Sequence, residues 1–377
     1  MVSVNLPWEL VEEILYRVPP QSLARFRTVC KQWNSLFDDN KFVNDHLVRS
    51  RPQFMFRTDS KMYSVAVNFS GPWIEVHELT LDIPGLNCEM PIWLYNYVDC
   101  DGLLFCTSYK FKGVLIWNPW LKQTRLFASN HHYPTKYVIG YDNKKRYKVL
   151  DYEFEPSSKL TIYEIGLYSK KVKDLESDSS WSVVQSNSVS LNGTLYWAGV
   201  DVNNGIFIRS FSFSTERLTT FCRLPLKYNE DNILALAVFR KDRFSLLKLC
   251  NKTSKIKIWL TKNSINNREI GLVEDVVWIK LMTVLIPDFP KLPFRWYNRP
   301  DLTYFLDNDD AKRLVICCYD ETQQVYIYIV RRNIVKKIKI DLFEDLLDQS
   351  SPHLRTYIPS LVRPTQVKED NNKLYVL

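Results

Sequence analysis

The hydrophobic pattern changes period once, near residue 51. Before it, Leu10, Val11, Ile14, Leu15 and Val18 recur at a spacing of three to four, which predicts an amphipathic helix. Pro7 suits a first helical position, and Glu9, Glu12 and Glu13 sit where the positive end of a helix dipole favours acids. Pro19-Pro20 stops this helix. A second helical series runs through Leu23, Phe26, Val29, Cys30, Trp33, Leu36 and Phe37, and Asn40 is expected to cap a short further helix through Phe42, Val43 and Leu47. From Pro52 onward the period falls to two, with apolar strands separated by short polar turns.

The strands repeat. A turn followed by an apolar strand recurs at residues 102–106, 146–150, 193–197, 243–247 and 313–317. Successive starts are about 45 to 50 residues apart, except the last, about 70. The extra length falls near 263–299, a stretch rich in Pro, Asn and aromatic residues. A short strand precedes each marker and a third follows it. A fourth is legible at 123–127, 171–175, 217–221 and 333–340, and a weaker copy of the unit spans 54–81. A four-stranded sheet at this period cannot hide both of its faces alone, and stacking copies radially hides them. The expected fold is therefore α+β and multidomain: a small all-α unit over residues 1–50, then an all-β, propeller-like domain over 51–377 with six or seven four-stranded blades. A final strand at 373–377 is expected to close the ring against the first strands. A pair of β-sandwiches is the alternative architecture.

Size adds a constraint on the helical unit. Three short helices cannot bury enough surface to fold robustly alone, yet they spend many residues on Leu, Ile, Val, Phe and Trp. Some of that apolar area needs a cover, either the later strands of this chain or the groove of a partner.

Composition narrows the class. Hydrophobic residues at 46% exclude wholesale disorder, and 14% aromatics favour β structure. The net charge of +8 permits an acidic partner without demanding one, because the basic runs at 144–146, 170–171, 331–332 and 336–337 are short and scattered. They read as solvated turns and edge strands, which Lys protects. The eight cysteines form no CxxC pair, and the N-terminus has no secretory pattern, so free thiols in a reducing compartment are expected. No apolar run reaches the ~20 residues of a membrane span, so no membrane association is expected.

The order Leu6-Pro7-x-x-Leu10-x-x-Glu13-Ile14-Leu15-x-x-Val18-Pro19-x-x-Ser22-Leu23-x-x-Phe26-x-x-Val29-Cys30-Lys31-x-Trp33-x-x-Leu36 resembles an F-box. Downstream, residues 100–106, Trp117-Asn118-Pro119-Trp120, Gly140-Tyr141-Asp142, 191–197 and 211–217 resemble the F-box-associated, kelch-like domain of large plant F-box families. The glycine pairs of ordinary kelch repeats are absent. The resemblance implies a non-catalytic substrate receptor of an SCF-type cullin–RING ubiquitin ligase, acting in the nucleus, the cytoplasm or both. Its partners would be a Skp-type adaptor, through it a cullin, and a target protein held by the β domain. The adaptor-facing or helix-ordering positions would be Leu6, Pro7, Leu10, Ile14, Leu15, Pro19, Leu23, Val29, Cys30 and Trp33.

Other chemistry is not legible. The five histidines form no metal or catalytic pattern, and no Walker loop, dinucleotide fingerprint or nucleophile elbow is present, so no catalytic residue, cofactor or metal is expected. Asp307-Asn308-Asp309-Asp310 fits a strand-connecting turn better than a calcium loop. Trp117, Trp197 and Trp259 fall in apolar strands and read as core, whereas Trp73, Trp93, Trp120, Trp181 and Trp296 fall in or near loops, where aromatic rings anchor partners. Phe289, Phe294, Arg295, Trp296 and Tyr297, on the long segment, are the candidate target contacts, the other reading being an insertion that simply packs against a blade. The competing function is a nucleic-acid- or glycan-binding propeller with no ubiquitin role, suggested by the basic balance and the aromatics. A propeller hydrolase, lacking a triad, is the third class.

Overall fold

The computed structural model describes residues 6–57, 61–69, 71, 73–81, 94–108, 111–128, 137–152, 159–165, 171–176, 181–183, 188–201, 203, 205–229, 231–265, 276–292, 302–332, 334–341 and 353–366. Four helices come first: α1 (Trp8–Leu15), α2 (Pro20–Phe26), α3 (Lys31–Leu36) and α4 (Asn40–Arg49). The second predicted helix is thus two. Cys30 breaks it with extended backbone, and its sulfur accepts from the Trp33 amide at 3.4 Å as the cap of α3. Pro20 does more than end α1: it opens α2, where its missing N–H is one the first turn cannot use anyway. Asp39, not Asn40, caps α4, its carboxylate accepting from the Phe42 amide at 2.9 Å.

The strands form six sheets in a ring, a six-bladed propeller. Blade II consists of Leu94–Cys100, Leu103–Ser108, Gly113–Asn118 and Gln123–Ala128, all antiparallel and in chain order from the axis outward. Blades III (Tyr137 to Glu176), V (Asn232 to Leu285) and VI (Leu302 to Ile340) repeat that order, and blade IV (Trp181 to Lys227) adds a fifth short strand. The fourth strand of blade V, hidden from the repeat count, is Trp278–Leu285, after the insertion. Blade I is composite. Its three outer strands are Gln53–Arg57, Met62–Val67 and Ile74–Leu79, and its innermost strand is His353–Tyr357 from the far end of the chain. Ring closure therefore comes about twenty residues before the expected 373–377. That segment lies outside the described residues.

Between blades the core is aromatic and aliphatic. Blades V and VI share one cluster that includes Leu247, Ile258, Tyr304, Ile316 and Tyr328, and blades VI and I share another around Phe54, Phe305, Val315 and Ile327. Inner strands such as Tyr137–Tyr141 and Leu302–Leu306 are buried along their whole length, so they read in sequence as continuous apolar runs without alternation. Trp117, Trp197 and Trp259 are core, as expected, but so is Trp120, which packs with Tyr97, Leu104 and Tyr357.

The helical unit shares its core with the propeller. Leu15, Leu23, Phe37, Phe42 and Val43 close around Leu361, with Leu121 and Val362 at the edge. Leu361 and Val362 belong to the segment that follows the closing strand. Asn118 pins this segment, donating to the carbonyls of Ser360 at 3.0 Å and Val362 at 2.8 Å. Two further contacts, from Tyr357 and Ser360 to the Gly102 carbonyl, hold it at 2.9 and 3.2 Å.

Candidate functional site

Helix α1 carries two apolar stripes. Val11 and Leu15, one turn apart, face the shared core. Leu10 and Ile14, rotated by one residue, face outward with 52% and 53% of their surface exposed, and Leu6 extends the stripe with 55%. Val29, at the α2–α3 junction, is 61% exposed. Pro7, Pro19 and Cys30 are exposed as well. Among the described residues, no strand of the chain covers this face. Complete burial of each such aliphatic side chain by a partner is worth about 1.5–3 kcal/mol.

The ten positions picked out by the resemblance thus divide. Leu6, Pro7, Leu10, Ile14, Pro19, Val29 and Cys30 lie on the surface, whereas Leu15 and Leu23 are interior. Trp33 is half-buried and packs at a tilt between Phe26 and Phe37, at 5.6 and 6.5 Å. Sequence alone could not make this division, because residues i and i+1 on α1 are equally apolar.

The open face stands on a rigid frame. Arg49 of α4 reaches back to Glu13 of α1 at 2.5 Å, and this contact holds the Glu13 carboxyl below its usual range. Arg49 also lies over the Tyr16 ring, which stacks on Phe42 at 4.7 Å. Buried His46 contacts the Val18 carbonyl through Nε2 at 2.8 Å, and burial pushes its pKa down, favouring the neutral ring. Arg27 donates to the Phe37 carbonyl at 2.8 Å and to Asp38 at 3.0 Å. From the propeller, Arg363 meets the same Asp38 at 2.9 Å.

A second joint lies at the end of α4. Arg51 donates to Asp307 at 3.3 Å and to Asp309 at 3.2 Å, and Arg313 donates to Asp307 at 2.6 Å. Arg51 and Arg313 both lie on the Phe69 ring. Arg240 of blade V donates to the Asn308 carbonyl at 2.8 Å. The Asp307–Asp310 turn connects two strands, as expected, and is also a clamp on the helical unit.

The helices sit on the face of the ring where first strands turn into second strands. Those turns are short and tied together. Lys241 of blade V crosses the axis to Asp101 of blade II at 3.0 Å, and Lys145 of blade III reaches the same carboxylate at 3.4 Å. Burial alone would raise the pKa of Asp101, but the two ammonium groups hold it at about 2. Beneath this cap lies a cavity of about 140 Å³, lined by Asp99, Ser190, Lys241, Thr303 and Arg355 among others. Burial raises Asp99 to about 7, against the pull of Lys241. No group of three or more metal-ligating side chains occurs among the described residues.

The opposite face receives the turns between second and third strands and the connections between blades. Phe289, in the connection after the last strand of blade V, is buried and lies on Tyr328 at 5.0 Å. It is a core residue, so the expectation of a target contact there is corrected: its ring fills the space between blades V and VI. Phe294, Arg295, Trp296 and Tyr297 lie outside the described residues, as do Trp93 and Trp296 among the loop tryptophans. Trp73 is 42% exposed.

Residues 4–45 match the F-box domain family, and residues 53–364 match the family described as F-box associated beta propeller domain. An F-box only protein of Arabidopsis thaliana is 78% identical over 374 residues, covering 98% of this chain and 100% of that protein. An F-box/kelch-repeat protein of the same plant is 40% identical over 393 residues, covering 99% and 97%. Arabidopsis thaliana protein SUPPRESSOR OF NIM1 1 is 41% identical over 356 residues, covering 89% and 93%.

Proposed function

Since the chain belongs to the plant F-box proteins that carry an F-box-associated β-propeller, we propose that it is a substrate receptor of an SCF-type cullin–RING ubiquitin ligase. The open stripe of Leu6, Leu10 and Ile14, with Val29 exposed at the α2–α3 junction, carries this reading. It is apolar, contiguous with a folded core and left uncovered by the propeller, which suits a groove on a Skp-type adaptor. The propeller then recruits the target. The chain itself supplies no catalysis. It works by proximity, holding a target lysine near the charged conjugating enzyme and so raising its effective concentration. Receptor and ligase would meet in the nucleus, the cytoplasm or both, which imaging of the tagged chain tests.

Co-purification with a Skp-type adaptor tests the central claim. The native chain should retain the adaptor, and a Leu10→Asp/Ile14→Asp variant should lose it while keeping its Tm, because both side chains are outside the core. Equal retention by the two chains would sink the reading.

A further inference from the structure

Blade V sets four lysines on one sheet face. Across its second, third and fourth strands, Lys248 lies opposite Lys257, and Lys257 opposite Thr283. The next row outward from the helices is Cys250, Lys255 and Leu285, and the row on the other side is Leu246, Trp259 and Lys280. Leu234, Leu246 and Trp259 on this face pack against blade IV, so the lysines lie where the face emerges from the core. Lys248 and Lys257 are half-buried, and Lys255 and Lys280 are exposed.

Like charges directly opposed across strands destabilise a sheet. Burial first, and then the charge of Lys257, pull the Lys248 ammonium below its ordinary pKa. The nearby carboxylate of Asp231 is engaged by Lys252 at 2.6 Å. Among the described residues, no carboxylate lies within 4.0 Å of the four lysines. Elsewhere on the propeller, Lys148 and Lys241 each have a carboxylate partner within 3.0 Å. A repulsive pair kept without a local counter-charge is the kind of broken rule that marks a working surface.

We propose that this lysine face of blade V docks an acidic, extended segment of the target protein, a reading that rests on the receptor function above. Backbone and charge both favour that occupant. Trp278–Leu285 is the outer strand of its sheet, with Ile279 and Leu285 exposed by 47% and 62%, and Val277 just before it by 54%. It carries only Lys280, whereas the outer strand of blade VI is guarded by Lys336, Lys337 and Lys339. An added strand would pair with this edge and alternate its side chains, presenting carboxylates to the lysine rows and apolar groups to the opposite face, where Ile279 is exposed. Among the described residues the face offers ammonium point charges and no guanidinium fork of the kind that selects phosphate. Of the aromatics on this face, Phe244 and Trp259 are buried, and half-buried Trp278 packs against the core shared with blade IV, so among the described residues no ring stands free as a platform for a nucleic-acid base.

The test uses the full chain bound to a Skp-type adaptor and a fluorescein-labelled peptide of alternating Glu and Val, read by anisotropy. Binding should weaken with salt. It should fall about tenfold for the Gln-for-Glu peptide and about tenfold for Lys257→Glu. The same substitution faces Lys248 with a carboxylate and should raise the Tm, so lost binding cannot be lost folding. Equal binding of the two peptides, or equal binding by native and substituted chains, overturns the proposal. So does single-stranded oligouridylate that binds more tightly than the acidic peptide and is released by Lys257→Glu, which would assign the face to nucleic acid. Loss of the adaptor with peptide binding intact would instead count against the receptor reading alone.

Discussion

The side-chain amide of Asn308 donates to the backbone carbonyl of Ser50 at 3.1 Å, joining the last residue of the helical unit to the first turn of the last blade. Asn308 also accepts from Arg240 through its own carbonyl, so blades V and VI and the helices meet at one residue. Together with the Leu361 contact on the other side, this makes the helices and the propeller one mechanical body.

The clamp has an interior and a surface half. Asp307 is fully buried and accepts from both Arg51 and Arg313. Asp307→Ala leaves two cations without their shared partner and is expected to cost about 3–5 kcal/mol. Asp309, with a side chain 84% exposed, meets Arg51 alone, and Asp309→Ala should cost under about 1 kcal/mol. Urea denaturation of the two variants checks the contrast, and equal losses would remove the clamp from the account.

Leu361 is 1% exposed and sits inside the helical core. Leu361→Ala should cost about 2–5 kcal/mol. If the segment truly couples the two units, hydrogen exchange should accelerate in α1 and α4 together with His353–Tyr357. Faster exchange in the helices alone would show that ring closure is independent of them.

Gly102 has φ of +73°, and a Cβ there would collide with the Ser360 side chain and the Ile358 carbonyl. Gly102→Ala therefore meets both backbone strain and the closing segment. We expect a loss larger than the about 1 kcal/mol typical of a helix-interior glycine exchange, in the sense of destabilisation, read as a drop in Tm.

The carboxyl of Asp99 is raised to about 7 by burial, above its ordinary value of 3.8. A carboxyl with a raised folded pKa binds its proton more tightly in the native state. Its stabilising contribution is present at low pH and is lost as pH rises toward 7. Asp99→Asn should thus raise the Tm at pH 8, with the gain shrinking to nothing near pH 4. A gain that is constant across that range would place the carboxyl outside the buried cavity. Asp101 behaves in the opposite sense. Held at about 2, it contributes stability above its ordinary value that is lost as pH falls toward 2.

The amino-acid sequence by itself determined the two regions, the helical character of the first and the four-strand repeat of the second. Those are local properties: the period of the apolar residues and the turn residues between strands specify them before any long-range contact forms. It also placed the apolar surplus on the helices. What only the tertiary structure decided was which apolar residues are spent where. Leu10 and Val11 differ by one step around a helix, and only the position of Leu361 makes one of them core and the other surface. The closing strand, His353–Tyr357, lies some 300 residues from its partner, Gln53–Arg57, and no local signal marks it above 373–377, which is the more apolar of the two. Phe289 and Trp120 read as loop aromatics because their neighbours are polar, but the rings turn inward against Tyr328 and Tyr357, contacts between residues far apart in the chain. The opposed pair of Lys248 and Lys257 is likewise a matter of register, fixed by how two strands meet and invisible in either one.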